Sequence, residues 1–278
     1  MLVQRSEPGL VIWESDLFRT VTTLIIGSDY LLLVDPNWLP REVEFIAEEV
    51  ERLRGKRKLY LLFTHSDYDH IIGYGRFPKA ETIASAVFTS NPDQEKILTQ
   101  IRDFDDAYYL RRTYPIVYPE ITYKVGEQLQ RLTLGGESYA FFPAPGHNRD
   151  GIITLLENFG ILIVGDYLSN IEFPYLYHSV GDYRNTLDRL EKLISGGGVR
   201  TLITGHGDAT DDRAEMERRL ADSRAYLDEL ERCVRAGEAF DTTSLYARYG
   251  FPKVMAAFHA GNVMLMREHV AGAGAGAG

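Results

Sequence analysis

Four potential metal ligands lie within six residues of the sequence, in the segment His-Ser-Asp-Tyr-Asp-His. The segment follows a short apolar run at residues 59–63 that is typical of a buried strand. On an extended chain, side chains two residues apart point the same way, so His65 and Asp67 are placed to hold one ion. A turn after them would bring Asp69 and His70 to a second ion. A carboxylate-capped polar turn is the alternative, but two histidines beside a buried strand favour metal binding.

Three further polar residues each follow an apolar run later in the chain. They are His147 after Pro-Gly, Asp166 after a glycine, and His206 after another glycine. The single cysteine, Cys233, excludes both an intramolecular disulfide and a cysteine-based zinc site. A bound metal would therefore be held by histidines and carboxylates.

Apolar periodicity predicts the elements that position these residues. We expect a β-hairpin over residues 20–34, an amphipathic helix over 40–55 and a strand over 59–63. Residues 92–118 are charged and rich in tyrosine, which predicts helices or a flap without fixed boundaries. The remaining expected elements are strands at 128–134, 138–142, 152–156, 161–164 and 199–204, and helices around 187–194, over 211–236 and over 252–270.

The order strand, Asp, helix, strand, His occurs twice, ending first at His65 and then at His206. This weak internal repeat predicts two similar β-rich halves covered by helices, with their polar strand ends meeting at one edge. The length of 278 residues and the 45% hydrophobic content favour one domain, which we place at residues 1–270. The Ala/Gly tail at residues 271–278 has nothing to bury, so we expect it to be disordered.

The net negative charge of the chain narrows the classes of binding partner that are expected. Thirty Lys and Arg against forty Asp and Glu give a net charge of −10, which argues against a nucleic-acid partner and against a basic membrane-binding face. The first fifteen residues lack the apolar core of a signal peptide, and no apolar run approaches the ~20 residues of a membrane span. We therefore expect a cytoplasmic protein that acts on a small-molecule substrate. The oligomeric state is left open.

Five motifs, taken in order, resemble the metallo-β-lactamase superfamily, a group of αββα-fold metallohydrolases. The resemblance covers residues 21–208, and its motifs are Val-Asp35-Pro, the segment at 64–70, Pro-Gly-His147, Gly-Asp166 and Thr-Gly-His206. The resemblance implies an α+β fold class, namely a four-layer αββα sandwich of two β-sheets flanked by helices.

The resemblance also implies a dinuclear centre of two divalent metal ions. Zinc is the metal expected, with iron or manganese as alternatives. The implied ligands are His65, Asp67 and His147 for the first ion, Asp69, His70 and His206 for the second, and Asp166 as the bridge between the two.

Asp67 departs from the family pattern, because most members have a second histidine at this position. A carboxylate here resembles flavodiiron proteins and a related di-iron oxygenase branch, in which a glutamate replaces that histidine. Those proteins depend on a flavin domain, a reductase or a carrier system, and nothing in this chain supplies one. A third alternative is that Asp67 does not bind metal and that the first site is weak or empty.

The reaction expected from the resemblance is hydrolysis of an ester, thioester, lactone or phosphoester. Two neighbouring cations would lower the pKa of a shared water, so that hydroxide attacks a polarised carbonyl or phosphoryl group. The expected catalytic residues are Asp69, which would orient the water, and Asp166, which would fix the spacing of the metals. The alternatives are a di-iron redox enzyme that uses O2 and a metal-stabilised binding protein.

Four other polar residues carry weaker signals. Asp35 either hydrogen-bonds a ligand imidazole or caps a turn. We interpret His178 as an exposed loop residue rather than a substrate contact. His259 and Asn262 lie three apart in an apolar helix, where a packing role is favoured over a bridge from the helix to the site loops.

Overall fold

The structure, a computed structural model, describes residues 1–275, the last three by their backbone only. The tail expected to be disordered falls partly outside this range, at residues 276–278. Up to Ala275 the chain continues the last helix instead. The alanines favour this extension and the two glycines oppose it, but extending a helix already begun avoids the cost of nucleation and adds one hydrogen bond per residue fixed.

Backbone proximity divides the chain into two compact units. The first unit comprises Met1–Pro143 and Asp150–Phe159, and the second comprises Ala144–Arg149 and the chain from Gly160 on. The chain contains two β-sheets with flanking helices, which confirms the predicted α+β class. A single domain over residues 1–270 stays a prediction.

Seven strands of the first unit form a mixed sheet in chain order. They are β1 (Leu2–Glu7), β2 (Leu10–Glu14), β3 (Val21–Ile26), β4 (Tyr30–Val34), β5 (Lys58–Leu62), β6 (Glu81–Ser85) and β7 (Tyr123–Val125). Pairing is antiparallel from β1 to β4 and parallel from β4 to β7. The β3–β4 hairpin and β5 confirm the sequence prediction.

Four helices accompany this sheet, and a short 3₁₀ turn follows the second of them. They are α1 (Pro40–Arg54), α2 (Tyr68–Ile71), α3 (Ala86–Thr89) and α4 (Gln94–Ala107). The predicted amphipathic helix is α1, whose buried Val43, Ile46 and Val50 lie in one core cluster with Leu33 and Leu61 of the sheet. The charged, tyrosine-rich segment at residues 92–118, whose boundaries were not predicted, contains α4. Residues 108–122 belong to no helix or strand.

Three further strands of the first unit pair antiparallel in chain order. They are β8 (Gln130–Leu134), β9 (Glu137–Pro143) and β10 (Ile152–Leu156). A hydroxyl pair ties β9 to β4, because Tyr139 Oη and Tyr30 Oη are 2.7 Å apart and both side chains are buried. Burial raises the pKa of Tyr139, so its hydroxyl stays protonated.

The second unit consists of a parallel strand pair and four helices. They are β11 (Ile161–Ile163), β12 (Thr201–Ile203), α5 (Val180–Ser195), α6 (Arg213–Ala236), α7 (Thr242–Tyr249) and α8 (Pro252–Ala275). The long charged helix predicted over residues 211–236 is α6. It packs against both α5 and α8. Among the described residues, no helix is both long enough and apolar enough to span a bilayer.

The tyrosine pair yields a stability prediction. Tyr139→Phe removes one partner of a buried hydrogen bond, so we expect it to lower the free energy of unfolding by about 1–3 kcal/mol in urea titrations. The double variant Tyr30→Phe with Tyr139→Phe removes both polar groups and should cost less than the sum of the two single variants. Strict additivity would show that the two hydroxyls do not interact.

Candidate metal centre

The carboxylate of Asp35 organises the histidines of the first unit. Asp35 follows β4 directly and is 2% exposed. Its Oδ1 accepts a hydrogen bond from the Thr64 backbone N–H at 2.9 Å. Its Oδ2 accepts from Thr64 Oγ1 at 2.6 Å and from His70 Nδ1 at 2.9 Å. Asp35 was expected either to hydrogen-bond an imidazole or to cap a turn, and the structure shows the hydrogen bond to an imidazole.

These hydrogen bonds fix the tautomers of two imidazoles. A carboxylate only accepts, so the proton of the His70 ring is on Nδ1. The Thr64 hydroxyl gives its proton to Asp35 and therefore accepts from His65 Nδ1, which lies 3.0 Å away. In both rings the remaining nitrogen, Nε2, keeps the lone pair that a metal ion requires.

Each of these imidazoles lies next to a carboxylate of the same segment. His65 Nε2 is 3.6 Å from Asp67 Oδ2, and His70 Nε2 is 3.7 Å from Asp69 Oδ2. Asp67 has an extended backbone immediately before α2, so its side chain comes alongside His65 as the spacing predicts. The first unit thus brings together four of the predicted ligands as two His–Asp pairs.

The second unit brings together the other three predicted ligands. His147 Nε2 and His206 Nε2 each lie 3.4 Å from the same oxygen, Asp166 Oδ2. Asp166 and His206 follow the parallel strands β11 and β12, whose carboxyl ends lie at one edge. The Nδ1 atom of His147 donates to the Tyr175 carbonyl oxygen at 2.8 Å, which again leaves Nε2 as the ligand nitrogen.

Glycine is required immediately before His147. Gly146 has a φ of +130°, and a Cβ atom there would lie 2.4 Å from the Tyr183 backbone nitrogen. The loop can therefore approach the first turn of α5 this closely only because residue 146 has no side chain.

A model of the metallo-β-lactamase superfamily matches residues 16–206. The chain belongs to the metallo-β-lactamase superfamily. All seven predicted ligands belong to groups of histidine and aspartate side chains that could hold a metal ion. Their donor set of imidazole nitrogens and carboxylate oxygens, with the ring protons of His65, His70 and His147 held on Nδ1, fits divalent metal ions.

Proteins similar to the chain share limited sequence identity with it. Human acyl-coenzyme A thioesterase MBLAC2 is 23% identical over 219 residues, which cover 70% of this chain and 77% of that protein. A metallo-β-lactamase family protein from Thermus thermophilus aligns with a TM-score of 0.59 at 21% identity, covering 82% of this chain and 83% of that chain. The sec-alkylsulfatase Pisa1 from Pseudomonas sp. aligns with a TM-score of 0.62 at 17% identity, covering 84% of this chain and 42% of that chain. The two solved structures share the fold.

Sequence reasoning missed the residues that hold the metallo-β-lactamase-type motif in place. Asp150 is 2% exposed and accepts from the Ser66 backbone N–H at 3.1 Å and from Asn91 Nδ2 at 3.3 Å. Asn91 also donates to Ser66 Oγ at 2.8 Å. These bonds fix the chain between His65 and Asp67. The available signal was a carboxylate at the start of an apolar strand, β10.

Two of the three remaining histidines, His178 and His259, have the surface and packing roles that were favoured for them. His178 is exposed, and its Nε2 lies 3.8 Å from Asp182 Oδ2. His259 is buried in α8 with Nδ1 3.0 Å from Tyr226 Oη, and burial lowers its pKa. Asn262, also buried, hydrogen-bonds the loop residues Pro174 and Leu176, which is the bridge from the helix to the site loops that stood as the alternative to packing.

Asp35→Asn tests the role of the buried carboxylate. An amide has one oxygen and no charge, so it cannot serve all three donors and makes His70 a weaker ligand. We expect the affinity for zinc, measured by chelator competition, to fall about 10–100-fold. Asp29→Asn, an exposed carboxylate just before β4, is the matched control and should bind zinc as the wild type does. Equal affinities in the two variants would contradict the role given to Asp35.

Proposed function

We propose that the chain is a metal-dependent hydrolase that cleaves acyl thioesters. The observation that carries the proposal is the convergence of His147 Nε2 and His206 Nε2 on one oxygen of Asp166, each at 3.4 Å. Two imidazoles and a carboxylate arranged in this way form a metal-ligand set of the kind that hydrolases use. The choice of thioesters among the expected substrates is supported by the similarity to the human acyl-coenzyme A thioesterase.

The ligand assignment that we propose is the one implied by the superfamily pattern. The first ion is assigned to His65, Asp67 and His147, the second to Asp69, His70 and His206, and Asp166 to both. The three imidazoles whose Nδ1 atoms are hydrogen-bonded to oxygen support this assignment, because each keeps Nε2 for a metal.

In the proposed reaction, water adds to the acyl carbon and the carbon–sulfur bond breaks. The products are a carboxylic acid and a thiol, and the sulfur takes up a proton from the attacking water. When bound, divalent metal ions supply Lewis acidity and bring the pKa of water towards neutrality. Asp69 orients the water through its carboxylate. Asp35 keeps the imidazole of His70 in its ligand tautomer throughout.

A substrate panel with Asp166→Asn tests the proposed activity. We expect the zinc-loaded protein to hydrolyse acyl-coenzyme A substrates faster than matched oxygen esters, lactones and phosphoesters. Asp166→Asn should lower kcat/KM more than about 100-fold. Losing a residue that hydrogen-bonds a metal ligand typically lowers activity about 10–100-fold, and losing a ligand itself should lower it further. Asp188→Asn, an exposed carboxylate on α5, is the control. No turnover of any substrate with metal loaded would favour the binding-protein alternative.

Metal content with Asp67→His separates hydrolysis from di-iron chemistry. We expect the protein, purified without added metal or chelator, to contain close to two zinc or manganese ions per chain by elemental analysis. Asp67→His replaces a hard oxygen ligand with an imidazole, so zinc-dependent turnover should be kept or increased. Two iron ions per chain, with O2 consumption that Asp67→His abolishes, would overturn the hydrolase proposal.

A further inference from the structure

The helix α8 presents an apolar face to solvent. No Asp, Glu, Lys or Arg occurs at residues 254–266, although a quarter of the chain, 25%, is charged. The exposed side chains of this stretch are all apolar and are those of Ala256, Ala257, Ala260 and Met264. Met264 is 64% exposed. Contiguous exposed apolar surface of this kind commonly marks a binding site.

A series of aromatic rings connects this helix with a candidate metal ligand. The Phe258 ring stacks on Tyr175 with a centroid distance of 4.0 Å and an interplanar angle of 15°. Tyr175 contacts Tyr177 at 4.2 Å, and Tyr177 meets the His147 imidazole edge to face at 5.4 Å. Tyr177 is 53% exposed. Aromatic rings in contact with one another therefore connect His147 with α8.

Hydrogen bonds hold this aromatic segment on both sides. The backbone N–H of Tyr177 donates to the His147 carbonyl oxygen at 2.8 Å, and His147 Nδ1 donates to the Tyr175 carbonyl oxygen at 2.8 Å. On the other side, Asn262 of α8 accepts from the Leu176 N–H at 2.8 Å and donates to the Pro174 carbonyl oxygen at 2.6 Å. The segment is thus preorganised for a ligand, which lowers the entropy lost on binding.

Small residues of α8 lie beside the rings. A Cβ atom at Gly261 would lie 3.6 Å from the Tyr175 ring, so the ring borders the helix at this point. Ala257, Gly261 and Met264 are spaced by four and three residues and so form one line on the helix surface. With a rise of 1.5 Å per residue, the line is about 10 Å long.

We propose that Tyr175, Tyr177, Phe258 and the line Ala257, Gly261 and Met264 form an acyl surface, which binds the unbranched hydrocarbon chain of a medium- or long-chain acyl thioester. This inference rests on the proposed function and specifies its substrate class. The occupant is an acyl chain because the surface begins beside a candidate metal ligand, continues along α8 for about 10 Å and has no charged side chain. The reacting thioester would lie at the His147 end.

The test compares chain-length dependence in two matched variants. We expect kcat/KM of the wild type to rise by up to about fourfold per added methylene from acetyl- to octanoyl-coenzyme A. Ala257→Glu places a charge on the acyl surface and should lower the ratio of octanoyl to acetyl turnover about tenfold or more. Ala221→Glu makes the same change at an exposed position of α6, outside this apolar face, and should keep the wild-type ratio.

Direct binding separates failure of the acyl surface from failure of the proposed function. The probe is S-octyl-coenzyme A, a thioether that cannot be hydrolysed, measured by calorimetry with S-methyl-coenzyme A as reference. A preference for the octyl probe that Ala257→Glu removes and Ala221→Glu keeps supports the surface even if no thioester is hydrolysed. Thioester turnover without chain-length preference overturns the surface and leaves the hydrolase proposal standing. A dimer in solution that Ala257→Glu dissociates assigns the face to a second copy and also overturns it.

Discussion

The hydrogen bonds of the buried Asp35 carboxylate are the constraint on which the first unit's metal ligands depend. Parallel pairing sets Val34 beside Leu62, so the residues that follow, Asp35 and Thr64, come within reach of each other. Three donors satisfy the carboxylate, which makes its burial tolerable. A shift of the β4–β5 register by one residue would break all three bonds and leave the tautomers of His65 and His70 undetermined.

Elements encoded in local patterns could be predicted from the sequence, and elements stabilised by distant partners could not. The β3–β4 hairpin, α1 and α6 each carry an apolar period or a turn signal within their own residues. In contrast, β1 is a half-exposed edge strand with the mixed sequence LVQRSE, and β7 has only three residues. Both owe their extended conformation to the neighbouring strand, which no local window contains.

The same distinction separates the predicted from the unpredicted parts of the metal centre. Side chains of ligand type stand at the ends of apolar runs and can be recognised there, as at His65, Asp166 and His206. Asp150 could not be assigned, because the backbone N–H that it fixes, that of Ser66, lies 84 residues away in sequence. The acceptor for His147 Nδ1 is the backbone carbonyl of Tyr175. Every residue has such a carbonyl, so the residue type at position 175 does not indicate this role.

The two units orient His70 and His147 by different hydrogen-bond acceptors. The difference decides which other parts of the second unit are coupled to the His147 ring. In the first unit a charged carboxylate accepts from His70, which raises the basicity of that ring. In the second unit a neutral carbonyl accepts from His147, and the segment that supplies it also carries Tyr175 and Tyr177. Whatever displaces this segment must therefore turn the His147 ring as well. Asn262 hydrogen-bonds the same segment to α8. The position of the helix and the orientation of the His147 ring are therefore coupled through loop residues 174–176.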